Sequence, residues 1–560
     1  MRRQRSVWMA YAVVLAVAFM ARLAAAEVAA FGAVRERPIP GDPVRIDTGL
    51  VAGKWLASGV KAYFGVPFAA PPVRELRWRE PQPARPWAGV LDANQFAPEC
   101  MQLLRGHDIN NYFGEEATSE DCLYLNIWAA PDSGKGAPRP VVVWIYGGGF
   151  SIGSASMANY SGATLAGKGV IYVAIAYRVG AFGFLAHPAL TAESAHHTSG
   201  DYGLLDQIAG LQWVQRNIAA FGGDPANVTI MGQSAGSMSV SLLQASPLAH
   251  GLFHRVIGLS GSMLSDDPQY HTRSLQAAEG EGTRLQEGLN APDLAALRNL
   301  PADRILYAPA TAHAHYSPNV DGYVLPASPL EIFDAGKQND VPVLIGFAHD
   351  ESFSELGRAL TLADYRSAAR QLYGDKADEL LKLYPASDDA QAARAARDAG
   401  RDSSLGLQMR AWARAQTATG KSPVYAYLFS RIHPYTPGVT FSDHDPKTVG
   451  AYHSGDIPYW LGTLDAFNLF RVTRNWTAED RALSDFMSNA VVAFASTGNP
   501  NPGGGHEWPA YQPKQERIMG LDVQRKVIPW PDSAKLEFFV QNHPVDHTPP
   551  APPAPGRSRD

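Results

Sequence analysis

Short, unbroken apolar runs recur along the chain, separated by segments whose apolar residues return at three- and four-residue steps. Val141 to Tyr146, Val170 to Ala176, Val228 to Met231, Val256 to Leu259, Val343 to Gly346 and Val424 to Phe429 are rich in β-branched residues that do not alternate with polar ones. A strand of that kind is apolar on both faces and belongs inside a largely parallel sheet covered by helices. Between the runs, Leu204, Ile208, Leu211, Val214 and Ile218 form one stripe along a helix. Strand and helix in repeated alternation predict an α/β layered architecture. The stretches from Ser265 to Leu330 and from Leu360 to Ser422 are richer in Ala, Leu, Arg and Gln and read as helical insertions that cover one edge of the sheet and shape a pocket.

Composition narrows this picture. The chain has 560 residues, 46% hydrophobic and 18% charged, with no internal repeat through its middle, which favours one large domain over 27–546. A net charge of -6 without any run of Lys or Arg excludes the electrostatic footprint of a nucleic-acid binder. Arg2, Arg3 and Arg5 precede an apolar segment from Trp8 to about Ala21, followed by Ala24-Ala25-Ala26. That is the pattern of a secretory signal over 1–26, too short in its apolar part for the ~20 residues that span a bilayer. Export to the periplasm or the exterior, with no stable membrane insertion after cleavage, is the expectation. The two cysteines, Cys100 and Cys122, lie in the exported part, where two thiols ordinarily pair. Residues 547–560 are proline-rich and read as a disordered tail.

Chemistry enters at Val228-Thr-Ile-Met-Gly232-Gln233-Ser234-Ala235-Gly236, where a strand runs into G-x-S-x-G and then into a helical segment. That context suits a nucleophile on a strained strand-to-helix turn, with glycines where side chains would clash. A second strand ends in Tyr146-Gly147-Gly148-Gly149-Phe150. Unshielded backbone N–H groups of Gly148 and Gly149, with that of Ala235, are candidates for an oxyanion hole. A serine hydroxyl needs a base, usually His oriented by a carboxylate, and on this fold the chain order is Ser, acid, His. His453, among small residues in Gly450-Ala-Tyr-His453-Ser-Gly-Asp456, suits the base; His349, His433 and His444 also satisfy the order. For the acid, Asp350 and Glu351 both follow the strand Val343 to Gly346, and order and context do not separate them. His196-His197 and His313-Ala-His315 have no carboxylate or thiol partner at a ligand spacing, so no metal is expected.

Together these residues resemble the type-B carboxylesterase/lipase family, which includes cholinesterases and bacterial para-nitrobenzyl esterases. The resemblance covers nearly all the mature chain. It runs from Tyr63-Phe-Gly-Val-Pro-Phe68-Ala-Ala-Pro-Pro72, Arg77-Trp78 and Trp87 through Ser119-Glu-Asp-Cys122-Leu-Tyr-Leu-Asn-Ile-Trp128 to Asn217–Ser237. It implies an α/β-hydrolase fold, a Ser234-Glu351-His453 triad, a Cys100–Cys122 disulfide, hydrolysis of small-molecule carboxylic esters through an acyl-enzyme, and no cofactor. Alternatives on the same scaffold are a lipase, an amidase or a non-catalytic adhesion protein, the last disfavoured because every catalytic piece is kept. Three departures stand out. Gln233 replaces a common Glu, Ser352 replaces the usual Gly after the acid, and the Cys100–Cys122 loop lacks the Trp that lets cholinesterases hold a quaternary ammonium.

Overall fold

The structure, a computed structural model, describes residues 38–104, 106–265, 272–308, 311, 316–531 and 533–544. The expected leader over 1–26, the tail over 547–560 and the pair His313 and His315 lie outside them. The described chain separates into two compact units. One takes the chain up to Leu264 with Thr272–Asp350 and Gln408–Trp530; the other is built on Glu351–Leu407 with the chain from Pro531 onward.

The first unit holds an eleven-stranded sheet. In chain order its strands are β1 (Lys54–Trp55), β2 (Lys61–Pro67), β3 (Tyr124–Ala129), β4 (Arg139–Ile145), β5 (Ile171–Ile175), β6 (Gly223–Gln233), β7 (Arg255–Leu259), β8 (Val343–Ala348), β9 (Val424–Phe429), β10 (Arg517–Leu521) and β11 (Lys526–Pro529). Across the sheet they run β11-β10-β9-β8-β7-β6-β4-β5-β3-β2-β1. Neighbours from β5 through β10 pair in parallel, while both margins are antiparallel. Every residue of β5, β8 and β9 is buried, which is why their sequences are apolar without alternation. All six strands expected from the apolar runs are present. The marginal strands carried no such signal: β1 and β11 are short, β10 begins at an exposed Arg517, and β2 changes register between Tyr63 and Val66. β6 is longer than its apolar run because its first residues pair with Arg139 before a register shift between Gly223 and Val228.

The topology chooses where a site can form. From β4 the chain moves outward to β5, then returns across β4 to β6 and proceeds the other way to β7. The carboxyl ends of β4 and β6 therefore flank the point where the strand order reverses, the place where open α/β sheets leave a crevice. Ile145, Gly232, Gly258 and Ile345 stand in register across β4, β6, β7 and β8, so these strands end along one edge.

Two helices brace that edge. Helix α1 (Tyr202–Asn217) carries the expected stripe, with Leu204, Ile208, Leu211 and Val214 buried. Its Asp206 takes Arg178 Nε at 2.8 Å, Arg178 Nη2 at 2.7 Å and the Arg178 backbone N–H at 3.0 Å, just past the end of β5. Both partners are buried, and such a pair is tolerated inside a core only when its hydrogen bonds are made. Helix α2 (Ala235–Ala245) is buried on nearly all sides, so its serines must find acceptors within the protein. Ser237 donates to the Gly261 carbonyl at 2.5 Å and Ser241 to that of Met238 at 2.7 Å, while Ser239 accepts from Gln207 at 3.1 Å.

The second unit is helical, as the 360–422 stretch predicts, with Leu362–Tyr373, Ala377–Leu383 and Asp389–Arg401 packing an alanine stripe (Ala392, Ala395, Ala396, Ala399) with Tyr365, Tyr384, Phe538 and Phe539. Ser352, the departure after the expected acid, fits here. Its hydroxyl occupies space that side chains at Gly357 and Gly400 would need, and it accepts the Ser354 N–H at 3.2 Å.

Cys100 and Cys122 form a buried disulfide. Replacing both by serine should lower the unfolding free energy by roughly 3 kcal/mol through the loop entropy returned to the unfolded chain. A fall in the denaturant midpoint is the expected measurement.

Candidate active site

β6 delivers Ser234 to the crevice edge. The strand ends at Gln233, α2 begins at Ala235, and Ser234 between them takes φ 57° and ψ -126°. A side chain in that region costs about 1–3 kcal/mol and persists only where the surroundings impose it. Here the Ser234 N–H donates to the Leu259 carbonyl of β7 at 2.8 Å, and its carbonyl accepts the Met238 N–H at 2.8 Å. The turn also needs α2 pressed against β4: a Cβ on Gly236 would stand 2.0 Å from the Ile145 carbonyl oxygen. That contact explains the second glycine of the motif. Ser234 is 9% exposed.

From the other side of the crevice comes the glycine loop after β4. A side chain at Gly147 would meet the Gln233 carbonyl at 2.4 Å and Ser234 Cβ at 2.9 Å, so this loop lies directly on the nucleophile turn. Gly148 carries φ 117°. Its carbonyl accepts the N–H groups of Ser151 and Ile152, each at 3.1 Å. Among the described residues, no acceptor takes the N–H groups of Gly148, Gly149 or Ala235. The far end of the loop is pinned by Gln102, which donates to the Gly153 carbonyl and accepts the Gly153 N–H, both at 2.8 Å. Gln102 follows the disulfide by two residues, so the Cys100–Cys122 bridge also steadies the glycine loop. Sequence reasoning missed Gln102, because nothing in its neighbours announces a long-range double hydrogen bond.

His453 reaches the same turn. The Gln233 side-chain nitrogen lies 3.2 Å from His453 Nε2. This contact brings the imidazole of His453 against the residue that precedes Ser234. The loop bearing His453 is clasped at both ends. Asp350 Oδ2 accepts the Ala451 N–H at 2.8 Å while the Asp350 N–H donates to the Ala451 carbonyl at 3.0 Å. Two residues past His453, the Gly455 carbonyl takes a hydrogen bond from His433 Nε2 at 2.7 Å.

These contacts distribute the candidates left open by chain order. Asp350 is engaged by Ala451 and, through Oδ1, by His349 Nδ1 at 3.0 Å. Glu351, one residue on, is buried and opens the second unit. His433 is buried among Tyr452, Tyr459, Phe467 and Trp476, and burial with the nearby Arg474 charge pushes its imidazole down to about 3. It is a neutral strut committed to Gly455. His444 sits 3.4 Å from Asp443 and beside Tyr452. His196 stacks on Tyr323, and among the described residues no group of three or more His, Cys, Asp or Glu is arranged to hold a metal ion.

Residues 41–539 match the carboxylesterase family. Fumonisin B1 esterase of Sphingopyxis macrogoltabida is 38% identical over 476 residues, covering 83% of this chain and 84% of that protein. Para-nitrobenzyl esterase of Bacillus subtilis is 34% identical over 499 residues, 86% of this chain and 95% of the other. Liver carboxylesterase 1 of Oryctolagus cuniculus is 33% identical over 526 residues, 85% and 89% respectively.

Two outcomes follow from the packing. Gly236→Ala should destabilise the protein by more than about 2 kcal/mol, because the methyl group cannot share space with the Ile145 carbonyl unless the elbow opens; thermal unfolding measures this. His433 makes stability pH-dependent with a definite sign. The unfolded chain protonates it near pH 6.5 and the folded chain only near 3, so the unfolded state binds more protons between those values. Stability should fall as pH drops through that window, and His433→Gln, which keeps a donor for Gly455, should show a shallower fall in melting temperature.

Proposed function

We propose, from the premise that this chain belongs to the carboxylesterase family, that Ser234, His453 and Glu351 are its catalytic triad and that the N–H groups of Gly148, Gly149 and Ala235 form its oxyanion hole. The chain is a carboxylic ester hydrolase of the α/β-hydrolase fold. The contact of Gln233 with His453 Nε2 at 3.2 Å carries the assignment, because it brings an imidazole beside the residue that precedes Ser234.

In this reading His453 Nε2 takes the proton of Ser234 Oγ as that oxygen attacks the ester carbonyl carbon. The carbonyl oxygen becomes an anion facing three amide N–H groups whose positions are set before the substrate arrives, each worth about 3 kcal/mol in systems where one has been removed. His453 then gives its proton to the departing alcohol, leaving Ser234 acylated. Water, deprotonated by the same imidazole, attacks the acyl carbon; collapse of the second tetrahedral intermediate releases the acid and restores the Ser234 hydroxyl. Glu351 holds Nδ1–H and stabilises the transient imidazolium. Asp350 has a different part, shaping the loop through Ala451.

Export follows the same logic. The basic, then apolar, then Ala-rich start over 1–26 and a disulfide at Cys100–Cys122 support a periplasmic or secreted enzyme, after removal of the leader. No helix among the described residues is long and apolar enough to cross a membrane.

Ser234→Ala should lower kcat/KM on a para-nitrophenyl ester by about ten-thousand-fold or more, and a phosphonate probe should label the peptide holding Ser234 and no other. Glu351→Gln should cost about a thousandfold or more. Asp350→Asn should be mild, since an amide oxygen still accepts the Ala451 N–H. Severe loss from Asp350→Asn with little from Glu351→Gln would reassign the acid.

A further inference from the structure

A cavity of about 280 Å³ lies in the first unit beside the N-terminus of α1, and none of its lining residues belongs to the proposed catalytic machinery. Its volume is at the small end of the range for small-molecule sites. Asp201, the residue preceding α1, lines it. An Asp at this position ordinarily turns back to accept the first N–H groups of its helix. Here it makes no such bond. Its Oδ1 instead accepts the Asn319 N–H at 3.0 Å, while Oδ2 is buried without a hydrogen-bond partner among the described residues, in a side chain only 2% exposed. A buried carboxyl oxygen left unpaired costs free energy and calls for a ligand, water or ion to explain it.

The surroundings say which kind. Asp321 also lines the cavity, its carboxylate oriented by Thr198 Oγ1 at 2.7 Å and by the N–H groups of Tyr323 and Leu325 at 3.0 and 2.9 Å. Glu80 and Glu193 also line the cavity, but Glu193 is paired with Arg298 and Arg79 and Glu80 lies 3.7 Å from His196, which leaves Asp201 and Asp321 as the lining acids with no basic side chain in an ion pair among the described residues. Burial and the charge of Asp321 push the Asp201 carboxyl well above the usual range, so its ionised form calls for a positive charge beside it. The complement is a cation. Of the lining acids only Asp201 and Asp321 are buried, and a hard divalent ion takes six to eight oxygen ligands, whereas an ammonium group has three donors to share between two carboxyls.

We propose that this cavity is a binding site for a small primary amine, whose ammonium group is held between Asp201 and Asp321. It is separate from the ester-cleaving site and does not depend on the triad assignment. Calorimetric titration of the full chain with n-butylammonium chloride, at ionic strength matched with potassium chloride, tests it, with n-butanol as the neutral control. One saturable site is expected in the wild type and in Ser234→Ala, with butanol failing to saturate. Asp201→Asn should bind at least about tenfold more weakly. Ala195→Trp, a bulky group at an exposed position of the cavity lining, should weaken binding without touching either carboxyl, and it covers the case in which Asp201→Asn does not fold. Absence of saturable binding, equal affinity in Ala195→Trp, butanol binding as tightly as butylammonium, or loss of binding in Ser234→Ala would each overturn the proposal.

Discussion

One backbone conformation organises the site. Ser234 is held at positive φ because α2 must leave β6 while staying in contact with β4, and that contact exists only because Gly236 presents no side chain to the Ile145 carbonyl. The strain at one residue, about 1–3 kcal/mol, is small beside the burial of α2 and its satisfied serines. Once the turn is set, much else is geometrically determined. Gly147 rests on Ser234, and Gln233 reaches His453.

The surrounding polar groups work as supports, and each has a distinct load. Gln102 fixes the glycine loop from the disulfide segment, Asp350 and His433 clasp the two ends of the His453 loop, and Arg178–Asp206 ties the end of β5 to α1. None need touch a substrate. Their shared effect is to remove freedom from side chains and amides, which is what the proposed oxyanion hole would need in order to be effective. The departures from the family pattern fit this scheme. Gln233 supplies a neutral donor where a carboxylate would place a negative charge against the imidazole, and Ser352 fills room left by Gly357 and Gly400.

The charged cavity at the head of α1 obeys the opposite logic. At the proposed catalytic turn the buried polar groups have partners or face the crevice, whereas Asp201 keeps an oxygen unpaired inside an acidic pocket. A buried carboxyl oxygen without a partner, in a residue that lines a cavity, is what makes a ligand the natural explanation.

Much of this protein was legible in its residues. Runs such as Val343 to Gly346 announced the parallel core, because strands buried on both faces must be continuously apolar, and the G-x-S-x-G segment between a strand and a helix announced the nucleophile turn, because only that local geometry requires those glycines. The sequence by itself thus determined the local conformations and the family. It left open which of Asp350 and Glu351, and which of four histidines, had which task, since residues a hundred or more positions apart acquire their partners only when β4, β6, β8 and the 450–456 loop meet at one sheet edge. Tertiary structure alone decided that Asp350 clasps Ala451, that His433 is a buried strut, that Gln102 pins Gly153, and that Asp201 faces a cavity instead of its own helix. Such roles depend on distance and burial, and neither quantity is local in the chain.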